Sequence, residues 1–174
     1  MALTSTFKIF MENQEYQYYI DEAKANKDGI AKMFGRLKKT KPKNLDAIFQ
    51  DLHDEAFSVI DCASCANCCK TTSPIFRDVD IKRISKKMRM TESAFENKYL
   101  NNDTDGDWVL KSSPCVFLGA DNYCNIYDYR PQACRDYPHT DRKKVVQVLD
   151  LTLKNIEICP AVAKISIEVL KDSV

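Results

Sequence analysis

Cys62-Ala-Ser-Cys65-Ala-Asn-Cys68-Cys69 sets four thiols within eight consecutive residues, and Cys115, Cys124, Cys134 and Cys159 then follow singly. Thiols this dense mean either a disulfide scaffold or a metal site. A chain of 174 residues can bury a core without covalent staples. Its first residues are interrupted by Lys8 and Glu12 before an apolar export segment develops. In a reducing compartment clustered thiols serve mainly as metal ligands. The expected location is therefore cytoplasmic, and the expected role of the cysteines is metal binding.

A Cys-x-x-Cys step lets two thiolates converge on one ion. Cys62, Cys65 and Cys68 repeat that step, much like the first three ligands of a ferredoxin-type run. Cys68 and Cys69 are adjacent, so their side chains point apart, and one of them either faces a second ion or does not ligate. The other ligands must come from Cys115, Cys124, Cys134 and Cys159. Eight thiols allow two closed tetrathiolate zinc sites, or one iron–sulfur cubane with thiols to spare. Zinc and iron both suit such donors, and spacing does not choose between them. Cys134 lies between Arg130 and Arg135, and Cys159 precedes a predicted helix start. Both settings are expected to favour thiolate, although the arginines read equally well as surface charges.

Outward from the cluster the pattern is mostly helical. Tyr16, Tyr19, Ile20 and Ala23, then Ile30, Phe34 and Leu37, recur at helical spacing in a peripheral N-terminal extension. A basic stretch from Arg36 to Lys43 follows and reads as a linker. Asn44 is expected to cap a helix whose apolar stripe runs through Leu45, Ile48, Phe49, Leu52, Ala56, Val59 and Ile60. His53 beside it is expected to pack rather than ligate. Asp78 to Met90 predicts a helix seated on Ile81, Ile84 and Met88, and Thr91 caps a second one, Glu92 to Leu100. Residues 101 to 130 read as irregular, with extended pieces at Trp108-Val-Leu and Cys124-Asn-Ile-Tyr. A turn from Arg130-Pro131 carries Cys134. Val146, Leu149, Leu153 and Ile156 predict a helix, and Pro160 starts the last one, with Val162, Ile165 and Val169 inward. The expected fold is mainly α, a small helical domain around an irregular, cysteine-rich metal-binding centre. Residues 1–43 form the extension and linker, and residues 44–174 the metal-binding domain.

Several functions are disfavoured. A net charge of +1 supplies no field for non-specific nucleic-acid binding, and no apolar run is long enough to span a membrane. Asp103-Thr-Asp-Gly-Asp107 has Trp108 where a calcium-binding EF-hand loop needs glycine, so an acidic turn is expected. Only His53 and His139 are present, which excludes histidine-based zinc-hydrolase motifs. His139 is a spare-ligand candidate, secondary to the eight thiols. Tyr123, Tyr127, Tyr129 and Tyr137 are expected to pack the centre. The basic face of Lys82, Arg83, Lys86, Lys87 and Arg89 is expected to be solvated, with an acidic partner or RNA as the alternative.

The cysteine run, Asp80-Ile-Lys-Arg-Ile-Ser, Pro114-Cys-Val-Phe-Leu118, Cys124-Asn-Ile-Tyr-Asp-Tyr-Arg-Pro131, Cys134-Arg-Asp-Tyr-Pro138 and Cys159-Pro160 together resemble the YkgJ-like cysteine-cluster family. The resemblance covers about residues 60 to 162. It implies a zinc- or iron-chelating domain with Cys62, Cys65, Cys68, Cys69, Cys115, Cys124, Cys134 and Cys159 as the ligands. A similar cysteine cluster occurs in flagellin lysine N-methylases, which implies, as an alternative, an iron–sulfur enzyme using S-adenosylmethionine. A thiol redox sensor is the third reading. Catalytic residues, substrate and protein partners stay open.

Overall fold

In the computed structural model, which describes the backbone of residues 2–171 and the side chains of 14–171, the helical periodicities become helices. The first half of the chain forms α1 (Ala2–Ala25), α2 (Lys27–Thr40), α3 (Leu45–Val59), α4 (Cys62–Cys65), α5 (Asn67–Thr71), α6 (Asp78–Lys87) and α7 (Glu92–Tyr99). The strands β1 (Leu100–Asn102) and β2 (Trp108–Leu110) follow, then α8 (Gln132–Asp136), α9 (Leu149–Asn155) and α10 (Pro160–Lys171). These elements divide into two units. One joins residues up to Cys65 with those from Pro138 onward, and the other is Ala66–Tyr137.

The first unit is a helical bundle in which α10 packs along α1 and α3. Tyr16, Ile20, Ala23, Ile30, Met33 and Phe34 are buried in the same core as Phe49, Leu149, Val162 and Ile165. The expectation of a peripheral N-terminal extension is therefore corrected. The sequence suggested a boundary at residues 43 and 44, but packing puts α1 and α2 in one core with α3 and α10. Each large side chain fully buried there contributes roughly 1.5–3 kcal/mol. The Phe34 and Phe49 rings lie 6.4 Å apart.

Asn44 stands at the start of α3, but its side chain makes no capping bond. The first-turn residue Asp46 instead accepts from the backbone N–H groups of Lys144 (2.7 Å) and Val145 (2.9 Å), tying α3 to the segment before α9. Val59 is exposed and so falls outside the expected stripe, whereas Ile60, just past the end of α3, is buried. His53 Nδ1 pairs with Thr140 Oγ1 at 2.8 Å and its ring packs on Phe57, as expected of a packing histidine. The predicted helix across Val146 to Ile156 begins as a 3-10 turn, Val145–Val148, before α9. Pro160 is the first residue of α10, where its missing N–H costs nothing.

The second unit is smaller and built on aromatics. Phe95 packs against Phe76, Tyr99 and Phe117, with the Phe95 and Phe117 rings parallel at 6.2 Å. Ile81, Ile84, Leu100 and Leu110 complete that core. Thr91 Oγ1 accepts from Ala94 N–H and caps α7, as expected. β1 and β2 pair antiparallel, with Leu100 opposite Leu110 and Asn102 opposite Trp108. Their connection is the acidic turn: Asp103 Oδ1 accepts from the N–H groups of Asp105 and Asp107, both at 2.9 Å. Gly106 occupies the left-handed region at φ 85. The anticipated extended piece at Cys124 amounts to one bridge, Leu118 to Cys124, followed by a 3-10 turn at Tyr127–Tyr129. Among the described residues no helix is long and apolar enough to cross a membrane.

Candidate metal centre

Each unit contains its own set of thiols. In the first, Cys62 and Cys65 sit at the two ends of α4 and Cys159 immediately precedes α10. Asp61 builds α4: its carboxylate accepts from Ala63 N–H (3.0 Å) and Ser64 N–H (3.2 Å), and its carbonyl accepts from Cys65 N–H (3.1 Å). The buried Tyr16 hydroxyl on α1 accepts from Asp61 N–H at 3.1 Å and fixes the cap in place. Tyr16 was legible only as part of an apolar helical pattern, and Asp61 was not singled out. The available signal was an aspartate, a favoured N-cap, directly before the first cysteine.

In the second unit Cys68 and Cys69 lie on α5, which opens from Ala66 in the left-handed conformation (φ 48). Cys115 N–H donates to the Cys69 carbonyl at 2.8 Å and Ser113 Oγ to the Lys70 carbonyl at 2.9 Å, so the segment around Cys115 lies along α5. The loop between Cys115 and Cys124 is pinned by Asn125 N–H to Phe117 O and by Gly119 N–H to Tyr123 O, both at 2.8 Å. A β-carbon on Gly119 would stand 2.6 Å from the Asp121 carboxylate and 3.2 Å from the Tyr123 carbonyl, which explains glycine there.

Cys134 sits on α8, and the orientation of α8 depends on Asp80. That carboxylate is 1% exposed and accepts from three donors: Arg77 N–H (3.2 Å), Gln132 N–H (3.2 Å) and Arg83 Nη2 (2.6 Å). One side chain thus caps α6, anchors the first turn of α8 and holds Arg83. Arg83 in turn donates to the Arg130 carbonyl at 2.9 Å. Asp80 at the third helical position after Arg77 was a readable capping signal, but its reach to Gln132 was not.

The thiols influence one another within each unit. Burial pushes Cys159 up to about 12, with Cys62 and Cys65 adding to the rise. Burial also pushes Cys134 up to about 12, with Cys69, Cys115 and Cys124 adding. Cys115 and Cys124 are raised for the same reasons. Cys69 is lowered, to about 7, chiefly by its contact with Cys68, the two sulfurs lying 4.0 Å apart.

In the metal-free chain burial outweighs the arginine effect expected at Cys134. Arg130 does pull it down, but desolvation and its thiol neighbours dominate, and Arg135 spends its guanidinium on the Asp128 and Arg130 carbonyls. At Cys159 the backbone N–H groups of α10 act in the expected direction and are outweighed by burial. Among the described residues, no three Cys, His, Asp or Glu donors yet converge tightly enough to enclose an ion. The donor chemistry nonetheless suits a soft cation, because desolvated thiols that repel one another as thiolates lose that penalty when a positive ion lies among them.

The family comparison bears on the same residues. A family model named CxxCxxCC and described as a "putative zinc- or iron-chelating domain" matches residues 61–160. No curated protein and no solved structure matches the chain. The matched span covers more than half of the sequence and includes all eight cysteines. The chain belongs to the CxxCxxCC family of zinc- or iron-chelating domains.

Proposed function

We propose that this protein chelates zinc or iron through two separate thiolate sets, one in each unit. Cys69, Cys115, Cys124 and Cys134 form a four-thiolate set, and Cys62, Cys65 and Cys159 a three-thiolate set. The observation that carries this reading is where the fold places the thiols: Cys62, Cys65 and Cys159 fall in one unit, and Cys69, Cys115, Cys124 and Cys134 in the other, with Cys115 N–H on the Cys69 carbonyl at 2.8 Å. Electrostatic influence runs within the same groups. Cys134 feels Cys69, Cys115 and Cys124, whereas Cys159 feels Cys62 and Cys65. Cys68, whose sulfur lies 4.0 Å from that of Cys69, is a fifth thiol of that same unit.

The protein's contribution is positional. Asp61 and Tyr16 fix the helix presenting Cys62 and Cys65, and Asp80 and Arg83 fix the helix presenting Cys134. When bound, zinc would supply a closed cross-link, and iron with sulfide would add one-electron redox capacity. A three-thiolate set leaves one coordination position for an outside donor. Such a position suits an enzymatic or transfer role, and a closed four-thiolate set suits a structural one.

The test is anaerobic purification followed by metal and acid-labile sulfide analysis, an absorption spectrum and a competitive chelator titration. The expected result is zinc or iron held with a Kd in the nanomolar range or tighter, as for structural thiolate sites. Metal-free protein that takes up neither ion below micromolar concentration overturns the proposal.

Thiol redox sensing is favoured at one point, Cys69, whose contact with Cys68 shifts it toward the thiolate. Under that reading Cys69 of the metal-loaded protein is alkylated rapidly, whereas a metal-bound Cys69 resists.

A further inference from the structure

The end of α6 carries a cavity that the thiol chemistry does not use. Its volume is about 490 Å³ and its lining is Arg83, Lys86, Lys87, Arg89 and Tyr129, four cations and one ring with no carboxylate. We propose that this cavity binds an oligophosphate group, from either a nucleotide or an inorganic polyphosphate.

Cations commonly gather at helix C-termini to offset the dipole, and that accounts for Lys86 and Lys87 in the last turn of α6. It does not account for Arg89. The helix ends in a Schellman turn, with Met90 N–H donating to Ser85 O at 2.9 Å and Arg89 N–H to Lys86 O at 3.2 Å. The residue between is in the left-handed conformation, φ 56, a position that glycine fills without strain. Lys41 takes the same left-handed place after α2, so the turn itself is not peculiar to this cavity; what Arg89 adds there is a further cation in the lining, beside Lys86 and Lys87.

Arg83 adds a second feature. Its Nη2 is engaged by Asp80 Oδ1 and the Tyr129 and Arg130 carbonyls, while its Nε is buried without an acceptor. Asp80 offsets the charge of Arg83, so Lys86, Lys87 and Arg89 supply the uncompensated charge in the lining. Lys87 Nζ already stands 4.9 Å from the centre of the Tyr129 ring. That ring therefore fixes an ammonium group instead of offering a free face to a nucleobase. Cations converging on one cavity suit a compact polyanion, and phosphate oxygens are the acceptors that arginine and lysine recognise best.

The test is calorimetric titration of the metal-loaded full chain with inorganic tripolyphosphate and with ATP. Titrations are run without added divalent cations, and bound metal is assayed before and after. Both ligands should bind one to one, within a few-fold of each other, and more weakly as salt rises. Arg89→Gly should weaken binding about tenfold or more without lowering the melting temperature, because glycine relieves the left-handed backbone. Lys86→Gln with Lys87→Gln should also weaken it.

Any of the following results overturns the proposal. One is no binding of either ligand at millimolar concentration, or unaltered binding by the Arg89→Gly variant. The second is binding of ATP without tripolyphosphate, which would mean nucleobase recognition. The third is binding of single-stranded RNA without tripolyphosphate, which would make the face an RNA contact.

Discussion

Replacing Asp80 by asparagine preserves shape and removes one acceptor and one charge. The carboxylate serves three donors, with Oδ1 taking Arg83 Nη2 and Gln132 N–H and Oδ2 taking Arg77 N–H. An asparagine that keeps its oxygen toward Arg83 and Gln132 turns its NH2 against the Arg77 N–H, a donor facing a donor. That lost cap costs about 1 kcal/mol. Loss of charge assistance to Arg83, whose side chain is one-third exposed, adds about 1–2 kcal/mol. We therefore expect Asp80→Asn to destabilise by about 2–3 kcal/mol. Asp80→Ala, which leaves a buried pair broken, should destabilise by about 3–5 kcal/mol. In urea denaturation of the metal-loaded protein the Asp80→Asn midpoint should fall accordingly, and Tm should drop by roughly 4–12 °C. Metal held by the set containing Cys134 should be lost first, because α8 loses its anchor. The exposed Asp78, also in the first turn of α6, is the control, and Asp78→Asn should stay within about 0.5 kcal/mol of the parent. An Asp80→Asn protein that does the same would refute the anchoring role.

Other consequences follow from the same geometry. Asp61→Ala removes the cap of α4 and should cost about 1 kcal/mol, while Tyr16→Phe should cost about as much by leaving Asp61 N–H unpaired. In chelator competition both should weaken the set containing Cys62 and leave the Cys134 set unchanged. The metal-free protein should lose stability as pH rises from about 9 to about 12. Cys134 and Cys159 stay protonated there until about 12, whereas thiols of the unfolded chain ionise near 9, so alkali favours unfolding. That slope, read from urea midpoints at successive pH values, should shrink in Cys134→Ser. It should be smallest in the metal-loaded protein, whose thiols are already deprotonated, leaving the part due to Tyr19, which burial and its bond to Glu15 push up to about 12. An equal slope in all three would contradict burial as the cause.

The helices were legible wherever local pattern decides structure. The apolar stripe of α3, the Thr91 cap and Pro160 at the start of α10 need only nearby residues. The cysteine run and its metal chemistry were legible for the same reason, since spacing within eight residues is a local property. What escaped was tertiary. Cys159 falls in one unit with Cys62 and Cys65 only because folding brings the start of α10 into the unit that holds α4. Asp80 reaches Gln132, 52 positions away, through an approach no local signal encodes. The raised thiols at Cys134 and Cys159 escaped because flanking arginines and a helix start are visible in sequence, whereas the burial that outweighs them is not. The N-terminal helices looked peripheral because their amphipathic pattern names a buried face without naming what buries it.

The claim of two independent thiolate sets is tested most directly by counting metal in single-serine variants with native mass spectrometry. The parent should carry two separable metal loads. Cys134→Ser should lose one and keep the other, and Cys159→Ser should show the reverse pattern. Loss of all metal from either variant, or a single load in the parent that needs cysteines of both sets, would contradict the account.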